Sequence, residues 1–485
     1  MAHREDRRED LGEAFQLEEE DAPLLDEAQP EDSSKRPRTP LPKLQIGILT
    51  LIQFVSPVSA QSIYPYINQL IRELDITHGD ETKVGYYAGL IESLFFVTQA
   101  CTTLSWSRLS DHIGRKPVIL IGLSGLSISM LSFGLSRTFI TLVLSRCICG
   151  VLNGSSGVMK GMMGELLDAT NMAQGFALLP IYRCVGVTVG PFIGGLLARP
   201  ADSWPHMFSG RFWHEYPYFL PCFAVSALVA LIAVAMALFL KETLPRRKTK
   251  RSSSESPEDA QADFPSDAPP PMRTLLIPSI LIPIANNGLL AVVETGYNAL
   301  VPLFYSTPLS NGGLGFSPAA IGILLGCFGI LNGIAQILFF APIVHRLGPT
   351  PTFKLSVAFF FPIFALFPIM SWYVAKSGVD SVVWGCLVLQ LLLQTVKDMA
   401  YGTVTMHITS AAPSKRSLGS VIGISQTVSS VARGLGPAMA TSSFAASKQY
   451  NLLGGNLVYA IMVALTFCVL YLGSWLPDEL PKRRN

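Results

Sequence analysis

The sequence predicts an all-α polytopic membrane protein, with twelve transmembrane helices arranged as two pseudo-symmetric six-helix bundles. Three observations carry this expectation. The chain is too apolar for water: 49% of its 485 residues are hydrophobic and 14% are charged, against roughly 25% charged residues in an average soluble domain. Its apolar residues gather into runs close to the roughly 20 residues that span a bilayer. The runs form two sets of six, and features of the first set recur in the second.

The first six runs centre near Val55, Phe95, Ser127, Gly150, Thr188 and Val229, and the second six near Leu290, Phe328, Ala365, Leu392, Thr427 and Val463. Residues 44–240 and 275–476 are therefore predicted as the two bundles. Between them, residues 241–274 are rich in Lys, Arg, Ser, Pro and Asp, a composition that cannot bury a core and predicts a disordered cytoplasmic linker. Residues 1–43 read as a disordered acidic tail without the apolar stretch of a cleavable signal, and residues 477–485 as a basic tail.

Basic residues near helix ends favour the cytoplasmic face. Lys35, Arg36, Arg38 and Lys43, then Arg108, Arg115 and Lys116, the Arg246 to Arg251 cluster, Lys415, Arg416 and Lys482 to Arg484 all fall on one side of the predicted topology. The opposite loops hold only Arg72, Lys83, Arg137, Arg199, Arg211, Lys376 and Lys448. Both termini are thus expected in the cytoplasm. The net charge of +2 offers nothing to a nucleic acid. Eight cysteines without a CxxC pair predict neither a disulfide framework nor a metal site.

The internal repeat supports two halves independently of helix counting. The fifth run carries Gly190-Pro191 and the eleventh Gly436-Pro437, while KETLP from Lys241 is echoed by PDELP from Pro477. Within this frame the loop SRLSDHIGRKP, Ser107 to Pro117, resembles the loop signature of the major facilitator superfamily: Asp111, Gly114, Arg115 and Lys116 match, and Ser107 replaces the usual leading Gly. Arg146 and Gly150 in LSRCICGVLNG resemble the family's buried-arginine motif. Gly186, Gly190, Pro191, Gly194 and Gly195 in GVTVGPFIGG resemble the motif of its twelve-helix drug:proton antiporters. The resemblance covers residues 44–476 and implies the major facilitator fold, a transporter and not an enzyme, and export of a small organic molecule driven by a proton gradient with no bound cofactor. The long tail and linker are similar to those of fungal members. Uptake of a nutrient by proton symport is the alternative.

Physical chemistry gives these residues roles of their own. Asp111 with the neighbouring bases can form a charge latch at the end of the second helix, or the bases simply obey the positive-inside rule. Arg146, some eight residues into its helix, must face a cavity or a partner; proton coupling and a structural role held by carbonyls both satisfy that demand. The glycines permit close helix approach, and Pro191 removes a backbone bond so that the helix can bend. A proton-driven carrier also needs a group that titrates inside the membrane, for which Glu92 and Glu294 are the candidates; a fixed pair of Glu92 with Arg146 or Arg183 is the alternative.

Asn286, Asn287, Tyr297, Tyr182, Lys397 and Asp398 are read as candidates for a substrate cavity, and Arg183 and Arg433 as further intramembrane charges. Tyr64, Tyr66, Tyr305 and Tyr401 suit either that cavity or the interfacial aromatic belt. The expected partners are a small-molecule substrate and the lipid bilayer, with the chain acting as a monomer. EDAPLL, Glu20 to Leu25, is similar to an acidic dileucine sorting signal. It makes a vacuolar or endosomal membrane the alternative to the plasma membrane.

Overall fold

Helix is the only regular structure that satisfies the backbone of a single chain segment inside hydrocarbon without a closed barrel, and the described residues contain no strand. A computed structural model describes residues 42–74, 76–153, 155–167, 172–243, 277–412 and 418–477. Twelve long rods follow one another. The first six are α1 (Lys43–Gln61), α2 (Val84–Ile113), α3 (Arg115–Gly134), α4 (Phe139–Leu152, continued by Ser155–Leu166), α5 (Met172–Leu196) and α6 (Phe219–Phe239). The second six are α7 (Pro278–Ser306), α8 (Pro318–Leu347), α9 (Pro349–Ser377), α10 (Ser381–Ser410), α11 (Leu418–Gln449) and α12 (Leu457–Gly473).

Eight spans among the described residues are long and apolar enough to cross a bilayer: α1, α3, α6 to α10, and Phe139–Met159 of α4. Three of the other rods differ for visible reasons. α12 is apolar but has 17 residues, while α2 and α11 have ample length but are diluted by Ser, Thr, Gln and Gly. Large apolar side chains such as Ile128, Leu231, Leu238, Ile337 and Phe467 stand exposed, which is where a lipid-facing surface puts them. The acidic tail, most of the linker and the basic C-terminal end lie outside the described residues.

Within the first bundle α1 packs on α5, α3 on α6 and α2 on α4; within the second, α7 packs on α11 and α12, and α9 on α10 and α12. The bundles meet along α2 with α11 and α5 with α8. Lipid offers no hydrophobic drive for helix association, so close packing across small residues has to supply it. A Cβ on Gly190 would stand 2.9 Å from the Val58 carbonyl of α1, and one on Gly436 would stand 2.5 Å from the Val292 carbonyl of α7. The repeated Gly-Pro step thus performs the same task twice, bringing α5 against α1 and α11 against α7.

Between the bundles Gly195 faces Gly322 of α8, with 2.7 Å from its would-be Cβ to the Gly322 Cα, and Gly85 faces the Thr441 carbonyl of α11 at 2.7 Å. Ala438, following Pro437, donates its N–H to Ser93 Oγ of α2 at 3.0 Å. These contacts all lie toward the end of the molecule away from Arg115. Gly333 of α8 and Gly423 of α11 have nothing within 4 Å of a would-be Cβ. Among the described residues the closest inter-bundle backbone contacts gather toward one end.

The turn before α3 is repeated as well. Gly114 has φ +109° and Gly348, between α8 and α9, has φ +85°, a region that favours glycine. A Gly195→Leu substitution overfills the α5–α8 contact, a change that typically costs about 1–3 kcal/mol. The expected result is a lower thermal unfolding midpoint of the detergent-solubilised protein. Gly47→Ala, where nothing lies within 4 Å, serves as the control and leaves the midpoint unchanged or raised; equal behaviour of the two variants would remove the packing argument.

Candidate functional site

Two groups of intramembrane polar side chains face the region between the bundles. The first is built from α1, α2 and α4. Tyr64, just after α1, donates its hydroxyl to Glu92 Oε1 of α2. Arg146 of α4 stacks its guanidinium over the Phe95 ring at 4.6 Å. Glu92 is 9% exposed and Arg146 6%. They line one cavity, closed on the other side by Ala299 and Pro302 of α7 and Thr441 of α11.

Among the described residues no carboxylate lies within ion-pair distance of Arg146, and its Nε has no partner. The fixed Glu92–Arg146 pair left open by the sequence is therefore not formed in this arrangement; a tyrosine hydroxyl and an aromatic face stand where that pair would have been. Arg183 does not line this cavity. A carboxyl held by one neutral donor beside an unpaired guanidinium retains the freedom to gain and lose a proton.

The second group belongs to the C-terminal bundle. Lys397 of α10, 1% exposed, donates to Glu294 Oε2 of α7 at 2.6 Å and to Asp398 Oδ1 at 2.7 Å. Neighbours in a regular helix point about 100° apart, which would separate Lys397 from Asp398. They nevertheless meet: the Asp398 backbone keeps helical angles, φ −65° and ψ −16°, and the long lysine stem spans the offset. Asn332 of α8 completes the network by donating to Asp398 Oδ2 at 2.7 Å, Asn298 donates to Glu294 Oε1 at 3.3 Å, and Gln336 reaches the Thr395 carbonyl at 3.0 Å. Arg183 of α5 lies within electrostatic reach of Arg433 of α11 and, in this network, of Glu294 and Asp398.

Three cavity candidates are engaged in helix packing instead. Asn286 donates to the Ile282 carbonyl and to the Leu472 carbonyl of α12, each at 3.1 Å. Asn287 donates to Ser425 Oγ and Ser429 Oγ of α11 at 2.9 and 2.6 Å. Tyr297 is fully buried, donates to Gln394 Oε1 at 3.0 Å and sits edge-on to Phe360, Phe364 and Phe367. The reason is common to all three: a polar group buried in a bundle must find a donor or acceptor, and a neighbouring helix supplies it. Tyr182 is half-buried on α5 beside Arg183. Tyr305 likewise donates to Gln390, and Tyr66 stacks on Tyr218.

The loop signature is anchored inside its own half. Glu242, just beyond α6, accepts the backbone N–H groups of Arg115 and Lys116 at 2.9 and 3.0 Å and so caps α3. Arg115 donates to Glu165 at the end of α4 and to Ser110 Oγ. Lys116 donates to the Ala237 and Leu240 carbonyls at the end of α6. A Cβ on Gly114 would stand 2.6 Å from Glu242 Oε2, so the glycine makes room for the cap. The side chain of Asp111 lies outside the described residues.

Sequence reasoning missed Glu165 and Glu242, which sit in segments that read as ordinary helix ends, and it missed Asn332 and Asn298. A signal for the latter pair existed: Glu294 with Asn298, and Asn332 with Gln336, are spaced four residues apart on single helix faces. Removing the central charge of the second group exposes its energetic weight. Lys397→Met leaves two half-buried carboxylates without their buried cation, a loss bounded by the about 3–5 kcal/mol of a fully buried pair, and the expected outcome is a lower unfolding midpoint. Lys397→Met combined with Glu294→Gln and Asp398→Asn regains most of it; a single variant as stable as the native chain would show that the carboxylates do not depend on Lys397.

Comparison with known proteins places this geometry. Residues 49–437 match the family model described as Major Facilitator Superfamily. The chain is 30% identical over 491 residues to the "Major facilitator-type transporter psiT2" of Psilocybe cyanescens, covering 92% of each chain. It is 29% identical to the "Efflux pump azaK" of Aspergillus niger, covering 90% of this chain and 89% of that one. Among solved structures it superposes with a TM-score of 0.64 and 16% identity on an inward-facing, unoccupied bacterial homologue of the human lysosomal transporter Spinster, over 90% of this chain and 95% of that one. Both the family model and the full-length relatives describe transporters and not enzymes, and the chain belongs to the Major Facilitator Superfamily of integral membrane transporters.

Proposed function

We propose that the protein exports a small organic molecule across its membrane in exchange for protons, with Glu92 as the group that carries the proton. The observation that supports this reading best is the state of Glu92: buried, held by the Tyr64 hydroxyl, and beside an Arg146 that makes no ion pair with it. Such a carboxyl can exist charged, stabilised by the guanidinium, or neutral, stabilised by its low-dielectric surroundings. Protonation then changes the charge of the inter-bundle region by one unit. That change biases the rocking of one bundle against the other.

In this cycle substrate enters between the bundles from the Arg115 end. Arg183, Arg433, Tyr401 and the Glu294–Lys397–Asp398 network offer it charges of both signs. Release of the proton from Glu92 and binding of substrate compete for the same electrostatic field, the requirement for exchange. The efflux name of the Aspergillus niger relative and the similarity of Gly186 to Gly195 to the antiporter motif favour export over uptake. The plasma membrane is the proposed location, with a vacuolar or endosomal membrane favoured instead if the EDAPLL segment acts as a sorting signal; that segment lies outside the described residues.

The test uses inside-out membrane vesicles and a panel of labelled organic anions, cations and zwitterions. An imposed proton gradient is expected to drive accumulation of at least one member. Glu92→Gln and Arg146→Ala are each expected to reduce it by roughly tenfold or more, as loss of a group required for coupling does. Accumulation driven only in right-side-out cells would replace export by uptake, and gradient-driven accumulation undiminished in Glu92→Gln would remove Glu92 as the proton carrier.

A further inference from the structure

The cavity around Glu92 contains one side chain that the proton cycle above does not use. Asn68 lies in the short helix Ile67–Glu73 that follows α1, is 1% exposed, and lines the same cavity as Tyr64, Glu92 and Arg146. Neither its Oδ1 nor its Nδ2 has a hydrogen-bond partner in the protein. An amide of this kind presents two donors and an acceptor oxygen, and burying all of them unmet is unfavourable. A leucine of similar size would fill the position at lower cost if packing were its only task. The cavity is wide enough to admit a water molecule, and its polar wall supplies the two to four partners that a buried water requires.

Position gives the site its meaning. Asn68 lies toward the end of the molecule where the closest inter-bundle contacts gather, with Thr441 of α11 and Pro302 of α7 forming the opposite wall of the cavity. Thr441 is the residue against which Gly85 and Gly89 of α2 pack. The charged and titratable groups that face Glu92 are Tyr64 beside α1 and Arg146 of α4, with Glu294 of α7 within electrostatic reach of Tyr64.

We infer that Asn68 positions a water molecule that links the Glu92 carboxyl to the joined end of the bundles and forms the route by which Glu92 exchanges its proton with that side. Glu92 gives its carboxyl proton to the water, and the water passes one of its own protons to the aqueous phase at the joined end, so that the water is unchanged and a carboxylate remains. The carboxylate accepts from Tyr64 and faces Arg146. Asn68 neither gains nor loses a proton; its oxygen and amino group orient the water. It is a positioning residue, and this inference rests on the reading of Glu92 as the proton carrier.

Infrared difference spectroscopy of the full chain reconstituted in lipid vesicles tests it without knowledge of the substrate. The carboxyl stretching band of Glu92 is identified by its disappearance in Glu92→Gln, and its appearance after a pH jump is timed. Asn68→Leu is expected to slow that response by roughly tenfold, the rate equivalent of one net hydrogen bond, and Asn68→Ser, which still bonds water, to restore it. An Asn68→Leu response as fast as the native one overturns the relay while leaving Glu92 as the carrier. Equal slowing in Asn68→Leu and Asn68→Ser assigns Asn68 to packing and also overturns it. A native protein in which no band is lost on changing Glu92 rejects the proton-carrier reading itself, and the relay with it.

Discussion

The structure depends on a few places where two helix backbones come closer than any side chain would permit. In lipid, an apolar surface gains nothing by leaving its solvent, so helices adhere through dispersion contact and hydrogen bonds that only close approach allows. Gly190 against Val58 and Gly436 against Val292 hold each bundle together, and Gly195 against Gly322 with Gly85 against Thr441 join the bundles to each other. The joining contacts sit toward one end, and the polar network of α7, α8 and α10 around Lys397 is built away from them. The location of the site is a consequence of where the glycines are.

The polar groups inside the membrane divide by the same economy of partners. Asn286, Asn287 and Tyr297 are consumed by neighbouring helices and act as interhelical ties. Lys397 is consumed by two carboxylates, one on its own helix and one on α7, so that a buried cation is compensated locally. Glu92 and Arg146 are the exception. They share a cavity, yet each is held by an aromatic residue instead of by the other. A pair locked in an ion bridge would have a fixed protonation state; this one retains a choice, and the proposed proton cycle uses it.

Much of this was legible in the residues. The described helices coincide with the apolar runs, the Gly-Pro echo marks equivalent packing in the two halves, and Arg146 was bound to face a cavity because a charge at that depth has nowhere else to go. The unreadable parts have a common cause. Glu242 caps α3 across more than 120 residues of chain, and Asn332 meets Asp398 across 66; no spacing rule connects residues on different helices. The assignment of Asn286, Asn287 and Tyr297 to a cavity failed to separate polar groups facing a cleft from those facing a neighbour. That distinction is set by helix rotation within the bundle, and a helix without a sharp amphipathic pattern does not reveal it.

The sequence by itself determined the class: helices long and apolar enough to span a bilayer, two related halves, a family signature at Gly114 to Lys116, and charges that must be functional or paired. These are properties of single helices and short loops, and hydropathy and local sterics suffice to specify them. Only the tertiary structure decided which charges meet, which share a cavity, and where the two halves press closest together. Those outcomes depend on how rods distant in sequence are rotated and pressed together, and the energies that set the rotation belong to pairs of helices and to no single one.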